Sequence, residues 1–315
     1  MQKVRQYRTE NCALGLAIEA PAKVNLHLAV GDKRHDGFHN LESIFLALDF
    51  CDTLYFEPLD EENSLEIIMG GIVADLPDKE NIIFKAVSLF RDRAGFNQGL
   101  RIRVDKRIPV GSGMGGGSSN AASTLLALNM LASDGNGLFG RDFLADMAVS
   151  LGSDIPFFLC ETGAAWVTGR GDIISRIQAP RDIFLVLVNP GFPSETAAAY
   201  RLLDEFRAGA SFHANSVEAA KDFSPEALYG HPRNWPFRND FLPVLLRQEN
   251  GRVYENIFSS LEELGADFFG LTGAGSTCFG IFSEKIQAKK ACNTLLGAWP
   301  FVKYAILLAN EAKQC

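Results

Sequence analysis

The sequence predicts an α+β protein in which antiparallel sheets pack against helices, divided into two domains, residues 1–180 and 181–315. Three observations predict this. Short runs such as residues 20–30 and 101–105 alternate apolar and polar side chains with the period of a half-buried strand, whereas residues 81–93 and 141–151 repeat with the period of an amphipathic helix. Strands and helices follow one another in mixed order, which suggests helices laid on one face of a mainly antiparallel sheet. At 315 residues, 47% of them apolar and 22% charged, the chain can bury a large core and is long enough for two domains.

The elements can be justified in order. The first eighteen residues carry no interpretable motif and receive no assignment. In APAKVNLHLAV at 20–30, Val24, Leu26, Leu28 and Val30 share one face and Lys23, Asn25 and His27 the other. Lys23 is either a solvated edge lysine or one half of a site. The loop GDKRHDGFHN carries His35, Phe38 and His39, and apolar runs at 41–50 and 53–57 read as two strands. Phe38 could cover a core edge or stack on a ligand ring. The stripe Ile82, Ile83, Ala86, Val87 and Phe90 predicts a helix capped by Asn81. Residues 101–105 form a half-exposed strand, and a helix over 141–151 stops at Gly152. Asp154 follows, just before apolar PFFL, where an aspartate is commonly a turn former or cap and could also serve as a general base. A hairpin over 164–177 turns at residues 169–172. Beyond a boundary near residue 181 come a strand at 183–188, a helix at 194–206 and an irregular region at 208–235. Then follow a helix at 253–264, a strand at 268–271, the loop TGAGS, a strand at 277–282, a helix at 284–296 and a strand at 302–308.

The stretch PVGSGMGGGSSN at 109–120 organises the rest. Five glycines and three serines lead straight into the helix-forming AASTLLALNML, with Ser118 and Ser119 placed to cap it. Unpaired N–H groups at a helix start hold phosphate oxygens without a charged side chain, so a nucleotide phosphate is the expected ligand. Gly111, Gly113 and Gly116 match G-x-G-x-x-G, but the preceding strand is half exposed and Asp134 falls in the turn-like ASDGNG, so a dinucleotide site is disfavoured. No Lys-Ser or Lys-Thr pair closes the loop as in a Walker motif. TGAGS, with Gly273 and Gly275, is a second and weaker cradle candidate.

Charge and cysteine usage narrow the partners. A net charge of −8 argues against nucleic acid. No apolar run reaches the ~18 residues of a membrane span, and no signal peptide is evident. Cys12, Cys51, Cys160, Cys278, Cys292 and Cys315 lack metal-ligand spacing, so a reducing cytoplasm is expected.

Three blocks occur in a telling order: PAKVNL at 21–26, PVGSGMGGGSSNAA at 109–122 and LTGAGS at 271–276. Together they resemble the GHMP family of small-molecule kinases, named for galactose, homoserine, mevalonate and phosphomevalonate kinases. The resemblance spans nearly the whole chain from Ala20. It implies the two-domain GHMP kinase fold, with the active site in the cleft between domains. Within the family, GDKRHDGFHNLESIF, KRIP and LGSDIPFF are similar to a branch that uses ATP to phosphorylate the 2-hydroxyl of a cytidyl-bearing alcohol in the non-mevalonate route to isoprenoids. By this resemblance Asp154 is the base and Lys23 its cationic partner. Asn25, His39 and Thr196 contact substrate, and Phe38 and Tyr200 lie on either side of the cytosine. Pro109, Gly111, Ser112, Gly113, Met114, Gly115, Gly116, Gly117, Ser118 and Ser119 hold the triphosphate together with Gly273 and Gly275, while Asn81 and Lys106 lie near the adenine. Mg²⁺ is expected to accompany ATP, although no metal-ligand cluster is visible. The alternatives are a GHMP kinase for another small alcohol and a catalytically silent nucleotide-binding relative.

Overall fold

The structure, a computed structural model, describes residues 2–8, 14–72, 81–132, 139–160, 162–209 and 224–308. Its centre is a long antiparallel pair, β2 (Leu14–Lys33) and β3 (His39–Leu59). β1 (Val4–Arg8) pairs with the outer edge of β2. One end of β3 pairs with β5 (Gly99–Lys106), which lies parallel to β4 (Leu65–Gly71). The other end pairs with β6 (Ala164–Thr168), which forms a hairpin with β7 (Ile173–Arg176). A second sheet runs in the order β11 (Phe301–Ile306), β8 (Phe184–Asn189), β10 (Cys278–Phe282), β9 (Phe268–Leu271), with every pair antiparallel.

Helices cover one face of each sheet. On the first lie α1 (Ile82–Ala94), α2 (Gly116–Leu131), α3 (Arg141–Leu151) and the short α4 (Ile155–Leu159). Their Ile83, Val87, Phe90, Leu125, Leu128 and Phe157 interlock with Ile18, Leu54, Phe56 and Ile102 of the strands. On the second lie α5 (Thr196–Gly209) and helices Gly251–Glu263 and Lys285–Leu295, packed on Val186, Val188 and Phe282. The uncovered faces of the two sheets then meet: Val24, Leu26, Ile44 and Leu46 pack with Leu185, Leu187, Phe279 and Ile281. β2 is thereby covered on both sides. Among the described residues no helix is long and apolar enough to cross a membrane.

Several expectations need correction. The unassigned N-terminal stretch supplies β1 and the start of β2. The runs at 41–50 and 53–57 are one strand, because Cys51 and Asp52 are buried within it rather than forming a turn. β4 was not foreseen. α2 begins at Gly116 with Gly115 as its left-handed cap, so Ser118 and Ser119 lie in the first turn and do not cap it. Asp134 and residues 210–223 of the irregular region lie outside the described residues. The clean alternation of 24–30 conceals a β-bulge between Asn25 and His27. It sends Leu28 and Val30 to the core beneath α5 while Val24 and Leu26 face the inter-sheet core. By contrast, Asn81 does cap α1, accepting from Ile83 N at 3.0 Å.

His27 is 2% exposed, and its Nδ1 accepts from Arg238 N at 3.2 Å. Burial, aided by the Arg238 charge, lowers its pKa from the ordinary 6.5 to about 4. The unfolded chain therefore binds more protons between these values, and stability should rise with pH across that window. The contribution is complete above pH 6.5 and falls away toward pH 4, by on the order of 3 kcal/mol. Urea midpoints measured from pH 7 to pH 4 should fall more steeply for the wild type than for His27→Gln; parallel curves would show that His27 charges at no cost.

Candidate active site

A cavity of about 400 Å³ opens where the two sheets meet. Lys23 reaches it from β2 and Asp154 from the turn between α3 and α4, with Lys23 Nζ 3.3 Å from Asp154 Oδ2. The lysine is only 3% exposed, so it is no solvated edge residue. Asp154 occupies the position before α4 yet makes no capping hydrogen bond, which leaves its carboxylate to the lysine and the cavity. Phe45 lies beneath the ammonium at 4.6 Å.

The glycine loop forms the adjoining wall, and every carbonyl from 111 to 115 is taken up by the protein. Gly111 O accepts from Ser194 N (2.8 Å), Ser112 O from Thr277 N (3.2 Å), Met114 O from Lys23 N (3.0 Å) and Gly115 O from Ser119 N (2.9 Å). Gly113 O accepts from Thr272 Oγ1 at 3.1 Å. With its acceptors turned into protein, the loop offers mainly N–H donors, as an anion site requires. Gly116, Gly117 and Ser118 open α2, have no intrahelical acceptor for their N–H groups, and line the cavity.

Lys106 is the second lysine of the wall. Its ammonium bonds Asp52, a fully buried carboxylate whose other oxygen accepts from Arg107 N at 2.7 Å and Ile108 N at 2.8 Å. Burial pushes the Lys106 pKa down, and Asp52 opposes that shift. Asp52 escaped the sequence reading, although an aspartate inside the apolar run LDFCDTLYF must have a buried partner.

Of the expected residues, Asn25, Asn81, Pro109, Gly111, Ser112, Gly113, Gly115, Thr196, Tyr200 and Gly273 also line the cavity. Five lie off its wall. Met114 is consumed in the inter-sheet core, and Ser119 is fully buried inside α2's packing. Gly275 backs onto Tyr254 and Leu271. His39 stacks on Tyr200, with ring centroids 5.0 Å apart, and its Nε2 lies 2.8 Å from Asp204 Oδ1. Phe38 is half exposed, with the Arg170 guanidinium 4.8 Å from its ring centre. Phe38 and Tyr200 thus each have a partner of their own, and a base between them would use the ring faces left over. Burial and then the Asp154 charge push the Tyr200 pKa up to about 12, so the phenol stays protonated beside the carboxylate. Asp204 was missed as well. Burial opposes ionisation there, but hydrogen bonds from His39 and Lys33 hold its carboxyl below the usual range. The spacing Thr196, Tyr200, Asp204 marks one face of α5 and could have revealed it. Ile72, Val110, Asn120, Phe241 and Ala274 are among the unforeseen residues of the wall.

A glycine loop at a helix start, a buried lysine against an aspartate, and two helix-backed sheets meeting at the cavity form an arrangement suited to phosphoryl transfer. Residues 81–162 match the model of the GHMP kinases N terminal domain, and residues 236–300 match that of the GHMP kinases C terminal domain. The chain belongs to the GHMP kinase family and is a small-molecule kinase. It is similar to a protein from Xanthomonas oryzae pv. oryzae named 4-diphosphocytidyl-2-C-methyl-D-erythritol kinase, 35% identical over 280 residues, 89% of this chain and 86% of that one. The Treponema pallidum subsp. pallidum protein of the same name is 36% identical over 289 residues, 90% and 96% of the two chains. A crystal structure of 4-(cytidine 5'-diphospho)-2C-methyl-D-erythritol kinase superposes with a TM-score of 0.71 at 30% identity, covering 93% of this chain and 99% of that one.

The wall also ranks its glycines. Gly113 has φ of 77°, and a Cβ there would sit 2.2 Å from Thr272 O, whereas one on Gly117 would meet only Ile82 Cγ2 at 3.8 Å. Gly113→Ala should cost about 1–3 kcal/mol from backbone strain alone, and Gly117→Ala should stay within about 0.5 kcal/mol. Chemical denaturation checks this; equal costs at the two positions would mean that the loop is free to move.

Proposed function

We propose that this kinase transfers the γ-phosphoryl group of ATP to the 2-hydroxyl of 4-diphosphocytidyl-2-C-methyl-D-erythritol, a step of the non-mevalonate route to isoprenoids. The observation that carries the reading is the Lys23–Asp154 pair, 3.3 Å apart, in one cavity with the start of α2. The names borne by its relatives supply the substrate. Asp154 takes the hydroxyl proton as the oxygen bonds to the γ-phosphorus and the bond to the β-phosphate oxygen breaks, releasing ADP. Lys23 fixes the carboxylate and stabilises charge on the transferring group. The N–H groups of residues 116–118 hold the phosphates, and Lys106 and Asn81 stand at the nucleotide end.

Bound together with ATP, Mg²⁺ would neutralise phosphate charge. Among the described residues there is no cluster of three His, Cys, Asp or Glu that could hold an ion by itself. Phosphates and water would supply most ligands of such an ion, and Ser118 and the unpartnered Asn120 Oδ1 in the wall suit the remainder. Phe38 and Tyr200 flank the cytosine, with His39, Asn25 and Thr196 nearby. The division into residues 1–180 and 181–315 belongs to the same proposal, since the first sheet ends at Arg176 and the second begins at Phe184. So does a cytoplasmic location, which suits the free thiols of Cys51, Cys160, Cys278 and Cys292.

ADP release measured across a panel of alcohols tests the substrate: turnover should be confined to the cytidyl compound, and indifference to removal of its cytidine would leave a GHMP kinase for another alcohol. In the same assay Asp154→Asn should lower kcat by ~10²- to 10⁴-fold, with ADP affinity held within a few-fold. Full turnover in that variant would remove Asp154 as the base.

The base subsite gives a second test. Phe38→Ala and Tyr200→Ala should each raise KM for the cytidyl substrate by about tenfold or more, the range of one aromatic stack on a base, and leave KM for ATP nearly unchanged. Lowered thermal stability with an unaltered KM would make both rings packing residues.

A further inference from the structure

Behind the cavity wall, Ser43 of β3 is fully buried and carries one proton to donate. Its Oγ donates that proton to the carbonyl of His27, beside the β-bulge, and accepts from Asn25 Nδ2 at 3.0 Å. Asn25 Oδ1 in turn accepts from Lys23 Nζ and from Gly273 N at 2.9 Å. Turned by 180°, the carboxamide would set its NH₂ against an ammonium and a backbone N–H, donors facing donors in a dry site where an unmet polar group is costly. It would also face Ser43 with an oxygen while the serine proton is committed elsewhere.

We infer that Ser43 is a positioning residue for the phosphoryl transfer: with its own proton given to His27 it can only accept from Asn25, which fixes the carboxamide's polarity and so seats Lys23 against Asp154. Through Gly273 the same carboxamide ties that seat to the 272–276 loop, so Ser43 acts on the chemistry without reaching the cavity. The inference rests on the Lys23–Asp154 reading and adds to it a residue that acts through another.

The test is steady-state kinetics on the full chain with Ser43→Ala, Ser43→Cys and Ser43→Thr, using ATP and the alcohol that the panel identifies. Alanine removes the hydroxyl; cysteine fills the space with a slightly larger atom that is a poor acceptor; threonine keeps the hydroxyl. Ala and Cys should each lose about tenfold or more in kcat, with both KM values within about twofold, because a misplaced catalytic group slows the chemical step rather than binding. Thr should retain kcat within about threefold. If Ala fails to fold, Cys carries the comparison. Wild-type kcat in Ala or Cys overturns the inference, as does a loss shared by Thr and accompanied by rising KM for both substrates and a lower melting temperature. Asp154→Asn, run alongside, separates the two levels: activity there removes the base assignment, whereas an inactive Asp154→Asn with an unaffected Ser43→Ala removes only the role of Ser43.

Discussion

An ammonium withdrawn almost wholly from water persists only where oxygen atoms close around it, and Lys23 is in that position. Removing such a charge from solvent costs several kcal/mol, which nearby acceptors must offset. Asp154 comes from the junction of α3 and α4, and Asn25 comes from the same strand two residues on. Asn25 is itself held by the 272–276 loop of the second sheet. The burial of one side chain therefore requires three distant parts of the chain to be in place together. That is why the site lies at the meeting of the two sheets.

The glycine loop follows from the same junction. Glycine at 113 and at 273 lets two backbones approach where side chains would collide, since a Cβ on Gly273 would lie 3.0 Å from Gly113 O. The contacts that close this gap use up carbonyls from 111 to 114, three of them with partners from the second sheet's part of the chain. What remains free is a set of N–H groups at a helix start. The predominance of N–H donors on the loop thus comes from how it is docked as much as from its composition.

This explains what could be read in the sequence. The cap at Asn81 and the hairpin at 169–172 depend on neighbours within a few residues, so local chemistry marked them, and the glycine loop was marked by its composition although distant contacts dock it. The order of strands and helices was legible in the second sheet for the same reason. β1 and β4 were not, because edge strands such as VRQYR carry little apolar alternation. The bulge after Asn25 left no trace either, because apolar residues stand on both sides of it and it changes only which core they enter. Asp52 was legible in principle, as a charge in a buried strand. Ser43 was not, since a serine in a strand is commonplace and its meaning lies in Asn25, eighteen positions away.

The two ends of the site are built on different physical terms. At the Lys23 end, Lys23, Asn25, Ser43 and Thr272 are all buried, each held by more than one partner, and a change at any of them leaves a polar group unmet in a dry interior. At the other end, Phe38 is half exposed, and Asp204, which steadies His39, keeps a third of its side chain in water. Screened contacts of that kind contribute little to stability and cost little to alter. On the function proposed above, substitutions at exposed positions of α5 and the 34–40 loop would alter recognition at little cost to the fold, while the Lys23 end would stay fixed. The junction of the two sheets therefore depends on the buried end, whereas Phe38 and Asp204 at the other end are held only by screened contacts.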